Sequence, residues 1–418
     1  MSAPKAFQTG NGYAGSILRG GLKKTFALAA MAMLTACSSF SFGPDINTTR
    51  VGQAPGTTAL PVTAGENIGS GPVRVAMILP LSGDASLTSV GTSMANGARL
   101  AMEFIAQNPS VSENISLTIK DSGGDDGTAA ARASEAVTEG ASLIIGPLRA
   151  EAVLSAGATA RAAGVPLIGF SNNTGAASPG VYLLNVLPET EVRRSLAYAQ
   201  SQGRRSFAAI ISDTAYGKIQ EGAFRQAAAD LGLQVRAIYN YTPGESGEAQ
   251  ARQAVEQVLP LLQTGTVDAL FIPDRATAPS FGVLFEAAAI DRTTLTIIGS
   301  IDWQGDLQIS QTPYLVGAIY PSVDPAGLAA LKPEYEAKFG TTPHPLVTNA
   351  YTAVLLANSP ALSQAVPPYG RAQLAGPAGF RGRDGQFRFL PDGRSEFALT
   401  MNQVVIGGAQ QIDAARLP

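Results

Sequence analysis

The chain of 418 residues has little of the chemistry that most enzymes use, because it contains one cysteine and one histidine. The histidine, His344, lies between two prolines in a predicted turn, which is a poor place for a general base. The sequence also lacks a phosphate-binding lysine loop, a nucleophile elbow and a cluster of metal-ligating residues. These absences argue against an enzyme and against a bound cofactor or metal. They leave open only catalysis by carboxylates, for which no spaced pair stands out.

An excess of charge of one sign is missing as well. The 29 lysines and arginines nearly balance the 32 aspartates and glutamates, and no basic run occurs. Nucleic-acid binding requires a basic patch or stripe, so we do not expect a nucleic acid as a partner. The lone Cys37 forms no disulfide within the chain, so no covalent cross-link stabilises the fold.

Long apolar runs are absent except near the N-terminus, where residues 25–34 follow two lysines. This run is too short for a bilayer span, which needs about 20 apolar residues, and predicts a secretory signal. Small residues before Cys37 indicate a bacterial lipoprotein signal over residues 1–36, with Cys37 acylated as the mature N-terminus. The alternative is a plain signal peptide with a chance cysteine. Because Ser38 is not acidic, similarity to sorted lipoproteins favours the periplasmic face of the outer membrane.

The region that follows divides into a tether and a folded body. Residues 37–72 are rich in Ser, Thr, Gly, Pro and Asn without hydrophobic periodicity, which predicts a flexible tether to the membrane. From residue 73, short apolar runs alternate with amphipathic helical stretches, and this order occurs twice. The pattern predicts an α/β protein of two doubly wound, Rossmann-like lobes. We expect lobe one to contain 73–188 plus about 320–378, and lobe two 189–319 plus about 379–418.

Ligands in such sheets bind beyond the carboxyl ends of the strands. In this chain those ends are polar, small or rich in glycine, and if the lobes face each other the loops line one cleft. The candidate ligand-binding residues at these ends are Ser82, Arg149, Ser171, Asn172, Asn173, Thr174, Tyr216 and Asp302.

Sequence motifs at the same loops resemble the type I periplasmic binding proteins of the leucine/isoleucine/valine-binding group. The matching pieces are residues 79–83 with Gly91 and Gly97, Gly146 and Pro147, 165–168 followed by Ser171, Asp213 with Tyr216 and Gly217, 349–351, and Gly379, Phe380, Gly385, Phe387, Asp392 and Gly393. The resemblance implies two lobes that close on a small ligand, usually an amino acid, and an ABC permease as partner.

The lipid anchor and residues 146–149 also resemble the periplasmic-binding-like domain of lipoprotein activators of bifunctional penicillin-binding proteins. That resemblance implies a second function from a different class, in which the same fold regulates peptidoglycan synthesis through contact with a synthase. Both functions remain open from the sequence.

Two loops of the first lobe carry candidates for holding a carboxylate. By the resemblance, Ser171 and Thr174, with the backbone at Asn172 and Asn173, form the carboxylate-binding loop, although these residue types also cap helices. Arg149 departs from the group's small hydroxyl residue and could grip a carboxylate or pair with a surface acid.

On the second lobe, Tyr216 matches a tyrosine that covers the ligand in the group, with ordinary packing as the alternative. Asp302 is the best candidate partner for an ammonium group, and its neighbour Trp303 is expected in the core. Asp213 is expected to cap the helix that follows it, with ligand contact as the alternative, and Ser82 is either a cap or a ligand hydroxyl.

Overall fold

The computed structural model describes residues 65–244 and 247–418. The predicted signal peptide, Cys37 and most of the predicted tether therefore lie outside the described residues. Within the described part no helix is both long and apolar enough to cross a membrane.

The strands and helices alternate along most of the chain. The strands are β1 (Glu66–Ile68), β2 (Val73–Leu79), β3 (Ile115–Asp121), β4 (Leu143–Ile145), β5 (Leu167–Gly169), β6 (Val181–Leu183), β7 (Ser206–Ser212), β8 (Gln234–Tyr241), β9 (Ala269–Phe271), β10 (Thr296–Ile298), β11 (Ile319–Ser322), β12 (Phe380–Gly382), β13 (Gly385–Phe389), β14 (Ser395–Phe397), β15 (Leu399–Val405) and β16 (Gly408–Arg416). The helices are α1 (Ala85–Gln107), α2 (Asp126–Thr138), α3 (Ala150–Ala162), α4 (Pro188–Ser201), α5 (Ala215–Asp230), α6 (Gly247–Gln263), α7 (Ala278–Ala287), α8 (Leu307–Gln311), α9 (Ala326–Phe339), α10 (Val347–Asn358), α11 (Pro360–Ser363) and α12 (Arg371–Leu374). Short 3-10 helices span Thr174–Ala176, Ile301–Trp303 and Pro313–Leu315.

Two large sheets confirm the predicted fold class. The first has the order β1-β3-β2-β4-β5-β6 and is parallel except for β1, which pairs antiparallel with β3. The second has the order β16-β15-β11-β10-β9-β7-β8 and is parallel from β8 to β11, with an antiparallel hairpin of β15 and β16 at its edge. Central strands such as β4 and β9 are buried along their whole length because helices cover both faces.

Each sheet belongs to one lobe with its own core. The first lobe contains the first sheet, α1–α3, α9–α12 and the small antiparallel sheet β12-β13-β14. The second contains the second sheet and α4–α8. The sequence-based division assigned residues from about 379 to lobe two, whereas the structure places β12–β14 on the core of the first lobe. The Phe389 ring lies 5.2 Å from that of Tyr182, and burial of this apolar face draws the small sheet to β6.

The chain passes between the lobes near residues 184–187, 323–325 and 398. These crossings are held side by side by hydrogen bonds. Ser395 Oγ donates to the Asn185 carbonyl at 2.6 Å, and the hydroxyls of Ser322 and Thr400 lie 3.2 Å apart. The bonded crossings bring the carboxyl ends of the strands of both sheets towards a common cleft.

Candidate functional site

The first wall of the cleft begins with the loop after β2. Ser82 Oγ donates a hydrogen bond of 2.5 Å to Asp121 Oδ2, and Asp121 Oδ1 accepts from the backbone N–H groups of Leu81 and Gly123 at 2.8 and 2.7 Å. Partial burial alone would raise the pKa of Asp121, but these hydrogen bonds hold it below its usual value. The Ser82 hydroxyl proton is therefore directed to Asp121, and the oxygen keeps lone pairs for a donor.

The loop after β4 carries Arg149. At this turn the backbone of Gly146 passes very close to that of Ile78. A Cβ on Gly146, which has φ +85°, would lie 2.1 Å from the Ile78 carbonyl oxygen, so the turn requires glycine. Arg149 stands immediately before α3, is half exposed, and has Nη2 3.6 Å from Glu151 Oε2. It thus contacts a surface acid in this structure. An exposed pair of this kind contributes little, about 0–1 kcal/mol, so it does not fix the guanidinium in place.

The loop after β5 is organised by its own side chains. Ser171 Oγ accepts from the Asn173 backbone N–H at 3.1 Å, and Asn173 Oδ1 accepts from Gly175 N–H at 2.9 Å. Asn173 therefore caps the 3-10 helix Thr174–Ala176. Thr174 Oγ1 donates to Glu189 Oε1 at 2.8 Å, which connects this loop to the start of α4.

The second wall begins with α5. Thr214 caps this helix by accepting from Gly217 N–H at 3.0 Å, so the expectation that Asp213 does so is wrong. The shorter Thr214 side chain stands one residue closer to the free N–H groups, and Asp213 accepts from the Thr242 hydroxyl instead. Two residues later Tyr216 enters the cleft, where it is partly buried.

Tyr216 connects the two walls. Its hydroxyl lies within hydrogen-bonding reach of the Asn172 side chain from the first lobe. Burial, followed by the nearby carboxylates Glu191 and Asp302, raises the pKa of Tyr216 well above its ordinary value. The hydroxyl is therefore neutral at physiological pH and serves as a hydrogen-bond donor or acceptor between the lobes.

Asp302 lies in the 3-10 helix Ile301–Trp303 on the second wall. Its side chain is exposed to solvent, yet the protein surrounding it removes enough water to raise its pKa. Arg275 counteracts this rise and Asp274 adds to it. Solvent exposure together with a raised pKa is expected of a carboxyl in a concave, water-accessible site. Trp303 is 1% exposed and packs in the core, as expected.

Glu191 is a residue that the sequence reasoning missed. It lies in the first turn of α4, is 1% exposed, and accepts a hydrogen bond of 2.9 Å from Ile301 N–H through Oε2. Its Oε1 is buried without a hydrogen-bond partner. Burial, with a smaller contribution from Asp302, raises the pKa of Glu191 to about 8. Pro188 at the helix start followed by Glu189 and Glu191 is a signal for a helix N-terminus, but it does not predict burial of the second glutamate.

Several other features of the described structure lie apart from the cleft. Residues 65–244 and 247–418 contain no group of three side chains able to hold a metal ion. Two depressions, of about 380 and 310 Å³, lie on the first lobe and are bounded by Arg383 and by Arg99, respectively. His344 is exposed, and its Nδ1 accepts from Leu346 N–H at 3.2 Å. None of these features adjoins the cleft residues.

Comparison with known proteins identifies the architecture. A family model described as periplasmic binding protein matches residues 72–378. No curated protein matches the chain. Among solved structures, a Rhodospirillum rubrum protein assigned to a branched-chain amino acid ABC transporter has 21% identity and a TM-score of 0.68, over 81% of this chain and 99% of its own.

Two further structures were solved with ligands. A branched-chain amino acid transporter substrate binding protein from Streptococcus pneumoniae, in complex with isoleucine, has 21% identity and a TM-score of 0.57, covering 83% of this chain and 99% of its own. An ABC transporter solute binding protein from Rhodopseudomonas palustris, in complex with 3,4-dihydroxy benzoic acid, has 18% identity and a TM-score of 0.58, covering 83% and 98%. At these identities the similarity establishes the fold.

Proposed function

Because the chain belongs to the periplasmic binding protein family, we propose that it binds a small polar solute of the amino acid class between its lobes, without catalysis. The observation that carries this proposal is the meeting of Tyr216 from one lobe with Asn172 from the other, at the centre of the predicted ligand loops. The first wall supplies hydroxyls and amides, and the second supplies the carboxyl of Asp302. These groups complement the carboxylate and ammonium of a zwitterion.

The amino acid ligand of one related fold supports this class of solute. The proteins from S. pneumoniae and R. palustris were solved with an amino acid and with an aromatic acid. For this chain the proposal includes an ABC permease as partner and a periplasmic location. It also includes attachment through acylated Cys37 to the periplasmic face of the outer membrane. Replacing Cys37 with Ala should leave a folded but unanchored or unprocessed protein in membrane fractionation; retention of a cleaved variant in the outer membrane would contradict the lipoprotein assignment.

A second candidate is a lipoprotein activator of a bifunctional penicillin-binding protein, built on the same fold. The observation that favours it is that the candidate ligand groups are engaged with protein partners. Ser82 bonds to Asp121, and Thr174 bonds to Glu189. In this function the cleft holds no solute and the partner is the peptidoglycan synthase.

A thermal-shift panel of the standard amino acids, with benzoate, separates the two candidates. A ligand at about a hundred times its dissociation constant stabilises a protein by about 2.7 kcal/mol. For the solute receptor we expect a shift with at least one panel member, and its loss when Ser171 and Thr174 are both replaced by Ala. Thr159→Ala is the matched control, because the Thr159 hydroxyl bonds only within α3, to the Ser155 carbonyl.

A flat panel together with capture of a penicillin-binding protein from solubilised membranes would refute the solute receptor and support the activator. A thermal shift that persists in the double Ser171→Ala, Thr174→Ala variant would show that this loop is not part of the ligand site.

A further inference from the structure

The buried carboxyl of Glu191 is the polar group of the cleft with the least explanation in the fold. One of its oxygens accepts from Ile301 N–H, and the other, Oε1, has no hydrogen-bond partner at 1% residue exposure. A buried polar atom left unpaired destabilises the folded state, and more so when it is charged. Buried polar groups without a hydrogen-bond partner are rare in native proteins, and each one needs a specific explanation.

The groups that face Glu191 are acidic or neutral. From its own helix α4 comes Glu189, from α5 come Tyr216 and Gln220, and from the 3-10 helix comes Asp302. The Gln220 amide is close enough to lower the pKa of Glu191 but leaves Oε1 without a bond.

No cation among residues 65–244 and 247–418 acts on the Glu191 carboxyl, although Arg275 acts on Asp302 and Arg394 on Glu189. Arg275 lies 3.5 Å from Asp306, and Arg394 pairs with Asp392 at 2.8 Å. Glu189 also has a buried oxygen, Oε2, without a partner. Glu191 is thus a buried carboxyl that the described residues do not pair with a cation.

A carboxyl in this position is stable in one of two ways, either protonated or paired with a cation from outside the chain. A metal ion is the weaker candidate, because the described residues contain no cluster of three metal-ligating side chains. An organic ammonium needs only one strong acceptor and neighbouring negative charge, and both are present. Tyr216 adjoins Glu191, and separation of Tyr216 from Asn172 would open the route between the walls.

We propose that the solute carries an amine and that its ammonium group binds the free Oε1 of Glu191, with Asp302 as the outer, solvent-facing carboxylate. The proposal rests on the proposed solute-binding function and narrows it to amines. Glu191 gives up its own proton as the ammonium arrives, so the site exchanges a proton for a cation. The amine stays protonated throughout, and the proton from Glu191 passes to the solvent.

The first experiment uses matched probes on the full chain. Benzylamine is compared with benzoate, and isoamylamine with isovalerate, by isothermal titration at pH 7, each pair sharing its hydrocarbon part. We expect the amines to bind at least tenfold more tightly than the acids. Glu191→Gln keeps the acceptor for Ile301 N–H and should weaken amine binding by roughly tenfold to a hundredfold, the difference between a charged and a neutral acceptor.

The second experiment measures protons. With a pKa of about 8, Glu191 is about nine-tenths protonated at pH 7, so amine binding in buffers of different ionisation enthalpy should release close to one proton per ligand. Release should disappear in Glu191→Gln and persist in Glu286→Gln, a control at an exposed glutamate of α7 in the same lobe.

The outcomes separate this proposal from the function on which it rests. Acids that bind as tightly as amines, or proton release that survives Glu191→Gln, would overturn the role of Glu191 and leave solute binding intact. No binding by either probe set or by any amino acid of the thermal-shift panel would overturn both.

Discussion

Replacing Glu191 with Gln should stabilise the ligand-free protein, and the gain should grow with pH. In the folded state burial raises the pKa of this carboxyl from 4.5 to about 8. Because the folded pKa is the higher one, the folded state holds the proton more tightly than the unfolded state between these values. Stability conferred by the protonated carboxyl is therefore complete below pH 4.5 and declines as the pH rises towards 8.

The size of the effect follows from the same two values. Each pH unit of difference is worth about 1.36 kcal/mol, so the wild type should lose about 3 to 4 kcal/mol relative to Glu191→Gln between pH 5 and pH 8. Glutamine has the same shape, and its Oε1 can accept from Ile301 N–H as Glu191 Oε2 does at 2.9 Å. The other carboxyl groups titrate in both proteins, so their contributions cancel in the difference.

Urea unfolding at pH 5, 6, 7 and 8 measures this difference directly. The midpoints of wild type and Glu191→Gln should separate progressively, with unchanged slopes. Glu151→Gln is a suitable control, since the Glu151 side chain is 57% exposed. Curves that stay parallel across this pH range would show that Glu191 is not buried as an unpaired carboxyl, and the reasoning about the second wall would fail.

Two further substitutions test the frame of the cleft. Gly146→Ala, with φ +85° and a Cβ 2.1 Å from the Ile78 oxygen, should lower the free energy of unfolding by more than about 3 kcal/mol in denaturant unfolding. The control Gly164→Ala, with φ +74° and no atom within 4 Å of its Cβ, should lower it by about 1 kcal/mol. Equal losses would contradict the importance of the close approach at Gly146. Arg194→Met removes a 2.7 Å bond to Asp413, which keeps its bonds to Arg416, and takes this donor away from the Leu399 and Ala414 carbonyls, so the unfolding free energy should fall by about 1 to 3 kcal/mol. A loss below about 0.5 kcal/mol would show that Arg194 does not help to hold the C-terminal hairpin.

Local patterns in the sequence were sufficient to predict most of the fold. Apolar runs such as those of β4 and β9 are continuous because helices cover both faces, and this pattern predicted parallel strands. The return of the chain between lobes was harder to predict. Strands β12–β14 are short, and their position on the first lobe depends on contacts such as Tyr182 with Phe389, far apart in the sequence.

In the candidate site, too, local features were predictable and long-range contacts were not. Strand ends indicated the loops that carry Ser171, Tyr216 and Asp302, because the carboxyl ends of parallel strands share one edge. The hydrogen-bond partners of those residues were not predictable. Glu189, which accepts from Thr174, follows it by 15 positions, and no periodic pattern connects the two.

The sequence by itself determined the repeated α/β order, because strand and helix periodicity and turn chemistry are local properties of the chain. It also predicted the loops at which a ligand would bind. Only the tertiary structure decided that Glu191 is buried with one free oxygen while Asp302 is exposed to water. A helix-start glutamate is ordinarily solvated, and its burial here results from α4 packing against α5 and the second sheet. The proton affinity of a carboxyl depends on the water and charges around it, and those are set by chain segments as distant as Glu191 and Ile301.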